Sequence, residues 1–171
     1  EALAHFFPEG GELEGIYLYL AGIATPAIRE QICERIRSHV NPGEIDIQND
    51  LCAAARAVCG HGSGVVAIMG TGSNSCFYDG DTVSQRVRSG GFIIGDEGGA
   101  AALGKLFLAD LIKERIPEAV AKEFDAQFDA SYGNIVEKIY HGERPAAWLG
   151  SLAPFIVSHA DDPAIKALVE R

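Results

Sequence analysis

A chain of 171 residues, 47% hydrophobic and 22% charged, is long enough to bury a sizeable core in one domain or in two lobes. Its formal net charge of −10 disfavours a nucleic-acid backbone or an anionic membrane as partner, though local backbone donors and Mg²⁺ could still hold a nucleotide. The longest apolar run, residues 16–24 with Gly22 inside it, falls far short of the ~20 residues that span a bilayer.

In chain order, residues 1–7 read as the last turns of a helix broken at residues 8–11, with neither the basic start nor the long apolar stretch of a signal peptide. Residues 13–20 read as a buried strand. Thr25-Pro26 is a good N-cap and first helical position. Ile28, Ile32, Ile36 and Val40 then recur every four residues, the apolar stripe of a helix packed on a sheet. Asn41-Pro42-Gly43 stops that helix, and residues 44–47 form a short strand. This is a βαβ unit, for which parallel strands are expected.

Asn49-Asp50 follows at the carboxyl end of the second strand and opens a helix over residues 51–59. Ligands of open α/β sheets gather at the carboxyl ends of strands, which places Asp50 where chemistry is expected. Either Asp50 or Asn49 could instead cap the helix, and position alone favours a cap for Asp50. Cys33, Cys52, Cys59 and Cys76 include no Cys-x-x-Cys pair and read as small core side chains rather than ligands of zinc or an iron–sulfur cluster. No metal ligand is assigned. Nothing argues for an oxidising compartment, so the cytoplasm is the expected location.

A glycine-rich joint, residues 60–64, leads into a β-branched run, 65–69, that reads as a buried strand. Gly70-Thr71-Gly72-Ser73-Asn74 follows. Glycines let the backbone approach an anionic group closely, and successive N–H groups with the Thr71 and Ser73 hydroxyls could cradle phosphate oxygens. The turn matches neither the dinucleotide fingerprint, which needs a third glycine at Ser75, nor the Walker loop, which needs Gly-Lys-Ser/Thr. Taken alone, it is most simply a tight hairpin between residues 65–69 and a strand at 75–78. Asp79-Gly80 signals a second, two-residue hairpin into a strand over 82–87. Gly95-Asp96-Glu97-Gly98-Gly99 opens another helix, for which Asp96 could be the N-cap.

Beyond residue 99 the chain reads as helices. Leu103, Phe107 and Leu111 form one stripe, widened by Leu108 and Ile112. Further helices are predicted over 118–128, 134–140, 146–159 and 163–170. Trp148 and Phe155 are read as core, and His141 and His159 as surface or capping residues without metal-ligand spacing.

Three motifs carry a resemblance: Asn49-Asp50-Leu51 with Ala53-Ala54-Ala55-Arg56-Ala57 and Cys59-Gly60, then Gly70-Thr71-Gly72-Ser73-Asn74, then Gly95-Asp96-Glu97-Gly98. In this order and spacing the chain resembles the BadF/BadG/BcrA/BcrD-type ATPases, and among them the bacterial N-acetylglucosamine kinase-like proteins. The resemblance implies an α/β chain of ribonuclease H-like, actin-like ATPase lobes. Residues 1–62 would be the C-terminal part of the first lobe, and 63–171 the N-terminal part of the second with a helical insertion. It implies ATP with Mg²⁺ and a small amino sugar as ligands. Gly70, Thr71, Gly72 and Ser73 would hold ATP phosphates, and Asp50 would take the proton from the attacking sugar hydroxyl. Asp50, Gly90, Gly91 and Asp96 would contact the sugar. A homodimer is left open.

The family's first phosphate turn and its later adenosine motif are missing, and Gly90 stands where an aromatic residue often precedes Gly-Asp-Glu. The resemblance therefore implies a fragment, cut at both ends, with little or no kinase activity alone. Two other readings remain: a non-catalytic nucleotide- or sugar-sensing module, and an ATPase activator of a 2-hydroxyacyl-CoA dehydratase.

Overall fold

The computed structural model describes residues 13–23 and 25–171. The helix end expected over residues 1–7 and its break at 8–11 lie outside the described residues. Two compact units are present: one comprises the described residues through Val66 with Cys76–Gln85, the other Ala67–Ser75 with Arg86–Arg171.

In the first unit, β1 (Leu13–Leu20) and β2 (Pro42–Asn49) run parallel, in register from Leu13 opposite Pro42 to Leu20 opposite Asn49. Between them lies α1 (Pro26–Arg37), and after β2 comes α2 (Asp50–Cys59). The Thr25 side chain accepts from the Ile28 N–H, as the Thr-Pro pair predicts. Helix α1 ends at Arg37, so Val40 continues the apolar stripe only in the connection. The second strand is longer than expected because Pro42, Gly43, Gln48 and Asn49 join it. Neither strand is fully buried: Ile16 and Ile47 are sequestered, whereas Tyr17 is 59% exposed. Ile36, Leu51, Cys52, Ala55, Val66, Cys76 and Tyr78 complete the buried hydrophobic set of this unit among the described residues. All four cysteines are free thiols, and burial pushes the Cys76 thiol pKa up. Among the described residues no group of three His, Cys, Asp or Glu could hold a metal ion.

Strands β3 (Gly64–Met69), β4 (Ser73–Tyr78) and β5 (Val83–Arg86) form a sheet in the order β3-β4-β5. The expectation of a buried third strand is corrected. Val66 is buried, but Val65 and Met69 are 80% and 75% exposed. Side chains of a strand alternate between faces, and β3 is an edge strand covered on one face only. The Asp79-Gly80 turn is wider than two residues. The Asp79 N–H donates to the Thr82 carbonyl, and Asp79 Oδ1 accepts from the Asp81 and Thr82 N–H groups.

The second unit is built on helices: α3 (Gly91–Ile94), α4 (Ala100–Ile112), α5 (Glu118–Phe128), α6 (Tyr132–Tyr140), α7 (Pro145–Ser151), α8 (Ala153–Ser158) and α9 (Pro163–Val169). The helix predicted over 146–159 is two, with Leu152 between them and Pro154 in the first turn of α8. A single core joins them through Phe107, Phe124, Leu149, Phe155, Ile156 and Ile165, with Trp148 packed at its margin. Phe107 and Phe124 meet edge-on at 4.9 Å between ring centroids, a favoured aromatic geometry. Ile112, expected to widen the α4 stripe, is 46% exposed because it lies on the helix's last turn. Among the described residues, no helix is long and apolar enough to cross a membrane.

Candidate functional site

The glycine turn of the second unit is fastened from behind. The Gly70 carbonyl accepts from the Ala100 N–H at 2.8 Å, and the Thr71 carbonyl from the Ala101 N–H at 2.9 Å. Gly99 is therefore the N-cap position of α4, and these two bonds satisfy N–H groups that the helix itself cannot. Asp96, weighed above as that cap, is not one. The Gly70 N–H is bonded within the turn to the Gly72 carbonyl. The Thr71 and Gly72 N–H groups have no acceptor among the described residues. Two successive free amides on an exposed glycine turn are the donor set that a phosphate oxygen requires. These residues fit the phosphate end of a nucleotide.

The two hydroxyls differ in what they touch. Ser73 Oγ donates to the Glu97 carbonyl at 2.6 Å, so its proton serves the structure and not an incoming anion. The Thr71 side chain packs at Gly150 of α7, where a Cβ would come within 3.3 Å of Thr71 Cγ2. The turn thus offers the Thr71 and Gly72 amides, and no hydrogen bond engages the Thr71 hydroxyl among the described residues.

The Ser73–Glu97 bond ties the turn to the loop that carries Gly90, Gly91 and Asp96. That loop folds back on itself. The Asp96 N–H donates to the Ser89 carbonyl and the Gly95 N–H to the Gly91 carbonyl, both at 2.9 Å. Gly90 and Gly91 have φ of 73° and 74°, the left-handed region that a side chain would strain. The one-turn helix α3 was not predicted; with Gly90 before it, Gly91 as its first residue and Gly95 after it, the segment carries no helical periodicity. Asp96 itself is left-handed at φ 59°, and its carbonyl accepts from the Gly99 N–H at 2.9 Å. Its carboxylate lies against Gly72: a Cβ there would overlap Oδ2 and stand 2.8 Å from Cγ. Two motifs 24 residues apart in sequence (Gly72 and Asp96) thus form one structural knot. Beside it opens a cavity of about 260 Å³ lined by residues 67–69, 73–75, 87–89 and Glu97.

In the first unit, Asp50 occupies the position expected of it, at the carboxyl end of a parallel strand pair. The helix cap is Asn49, whose side chain accepts from the Cys52 N–H at 2.8 Å. The expectation that Asp50 is the cap is corrected: with a better-placed acceptor one residue earlier, Asp50 is the first helical residue. Its Oδ1 accepts from the Leu51 N–H at 2.9 Å, and the half-buried carboxylate keeps Oδ2 without a partner among the described residues.

No family model and no curated protein matches the sequence. Solved structures do. The chain is 37% identical to the "putative N-acetylglucosamine kinase" of Porphyromonas gingivalis over 92% of its own length, with a TM-score of 0.84, and spans 56% of that protein. To the "putative N-acetylglucosamine kinase" of Chromobacterium violaceum it is 21% identical over 90% of its length, with a TM-score of 0.71, spanning 54% of that protein. The second likeness bears on the fold alone. The chain has the mixed α/β fold of these kinase-named structures and spans about half of each.

Proposed function

We propose that the polypeptide to which this chain belongs is a sugar kinase of the BadF/BadG/BcrA/BcrD type. It transfers the γ-phosphoryl group of ATP to a hydroxyl of an amino sugar such as N-acetylglucosamine. The observation that carries this reading is the 37% identity, sustained over 92% of the chain, to the P. gingivalis structure. Local geometry supports it. The Thr71 and Gly72 amides are free for phosphate oxygens, and Asp50 keeps a carboxylate oxygen that capping does not consume.

In this reading residues 1–62 belong to a first lobe and 63–171 to a second. Gly70, Thr71, Gly72 and Ser73 form the phosphate turn. Gly90, Gly91 and Asp96 hold the sugar, and Asp50 accepts the proton of the attacking hydroxyl. ATP with Mg²⁺ supplies the phosphoryl group and part of the charge neutralisation. Phosphoryl transfer through a loose transition state demands chiefly positioning and neutralisation. The protein's work is then to fix the acceptor hydroxyl beside a carboxylate and hold the phosphates with rigid dipoles. Because the chain spans about half of its structural neighbours, we propose that alone it turns over little or no sugar.

The test is ADP release by the full-length protein with ATP, Mg²⁺ and a panel of amino sugars. Asp50→Asn retains shape but cannot accept the proton, and turnover should fall by at least ~10²-fold. Unchanged turnover removes Asp50 from catalysis, and a panel without any phosphorylated sugar overturns the kinase reading.

A further inference from the structure

The knot between Gly72 and Asp96 poses an electrostatic problem. A turn with two free amides attracts an anion, yet a carboxylate rests on that same turn. Asp96 has no hydrogen-bond donor or cation as side-chain partner among the described residues, so its charge is not neutralised by the protein. The main chain that carries it is fixed as well. Its backbone is left-handed and held on both sides, by the Ser89 carbonyl and by the Gly99 N–H. The Ser73 bond to the Glu97 carbonyl holds the next residue in place as well.

We propose that Asp96 is a charge gate on the glycine turn: it rejects a bare polyphosphate and admits one that carries a divalent cation. This rests on the reading of the turn as a nucleotide phosphate site. A metal-free triphosphate brings several negative charges to within a few ångströms of the carboxylate, where like charges repel strongly in a partly desolvated site. A bound Mg²⁺ reverses the sign of the interaction, because the carboxylate then faces a cation or its water shell. Hard oxygen donors suit that ion, and Mg²⁺ keeps several waters when protein carboxylates are few. The role adds to sugar contact, since the two oxygens of one carboxylate can serve two partners. The glycine at 72 is what brings the charge so close, for any side chain there would displace it.

The experiment measures ATP binding to the full-length protein by calorimetry, without sugar, in excess Mg²⁺ and again in excess EDTA. The wild-type protein should bind ATP at least about tenfold more tightly with Mg²⁺. Asp96→Asn, isosteric and at home in the left-handed region, should lose most of that difference by binding metal-free ATP more tightly than wild type does. Asp96→Gly, equally suited to the backbone, should behave alike and serves if the Asn variant folds poorly. Full retention of the Mg²⁺ preference in both variants overturns the gate. So does an equal loss of affinity with and without Mg²⁺. Failure of the wild-type protein to bind ATP under either condition overturns the phosphate-turn reading itself, and the gate with it.

Discussion

The Leu149 carbonyl oxygen fills the space that a side chain on Gly104 would need. A Cβ at that position would overlap the oxygen and lie 2.9 Å from the Leu149 carbonyl carbon. Helices α4 and α7 therefore touch backbone to backbone at the middle of the second unit, and the next residue, Gly150, meets the Thr71 side chain. Close packing of the helices thus reaches the turn that offers its amides.

Gly104→Ala should be destabilising although alanine is the better helix former. The propensity gain is at most ~1 kcal/mol. Forcing a methyl group into a backbone contact costs ~1–3 kcal/mol, because neither helix backbone can shift alone. Urea denaturation of the variant should give a lower midpoint than wild type; an unchanged or raised midpoint would show that the helices can separate at little cost.

Gly72→Ala should lower stability by ~1–3 kcal/mol, since the new methyl group and the Asp96 carboxylate claim one space. In an Asp96→Gly background the same substitution should cost less than ~1 kcal/mol, because the obstacle is gone. A double-mutant cycle from thermal or urea unfolding reads this directly. Additive effects would mean that Asp96 swings aside without penalty.

Asn49 and Asp50 should separate into a structural and a chemical residue. Asn49→Ala removes the side-chain acceptor of the Cys52 N–H and should cost ~1 kcal/mol. Asp50→Asn keeps an oxygen for the Leu51 N–H and should change stability by no more than ~0.5 kcal/mol. If Asp50→Asn proves the more destabilising of the two, the assignment of the cap is wrong.

His159 makes one pH dependence predictable. Its Nδ1 is 2.9 Å from the Phe155 carbonyl and its Nε2 is 3.2 Å from Glu123 Oε2. Both ring nitrogens face acceptors, which suits the imidazolium. The Phe155 carbonyl chiefly, then Glu123 and Asp162, raise the pKa above its ordinary value against the opposing effect of burial. A group raised in the folded state contributes fully below its unfolded pKa of ~6.5 and less as pH climbs through the folded value. The stability advantage of wild type over His159→Gln should be largest near about pH 5 and shrink by about pH 9. An advantage that grows with pH would refute the protonated clamp.

Much of this fold was legible because its signals are local. Helix α5 lies over Glu118–Phe128 as its periodicity predicts, and Thr25-Pro26 starts α1 as such a pair should. What escaped was tertiary. Residues 146–159 carry one continuous apolar pattern, and only the packing around Leu152 divides it into α7 and α8. The exposure of Val65 and Met69 could not be read from composition, because a β-branched run looks alike at an edge and in the middle of a sheet. At the candidate site, the residue types of the glycine turn and of Asp96 marked both as places for ligands. Their contact at Gly72 did not follow from spacing: it depends on a left-handed aspartate, a conformation that aspartate visits without advertising it. The capping oxygen of Asn49 was equally hidden, since two adjacent residues could supply it.

The bonds from Ala100 and Ala101 back to the turn have an electrical consequence. Every peptide group in α4 points its positive end toward Gly99, and the first two amides pass that polarisation into the carbonyls of Gly70 and Thr71. Those peptide groups in turn present their outer N–H ends to the surroundings, polarised by the helix behind them. The turn thereby inherits the pull of a thirteen-residue helix it does not belong to. Fraying the first coil of α4 would dull that pull while leaving every residue of the turn unchanged.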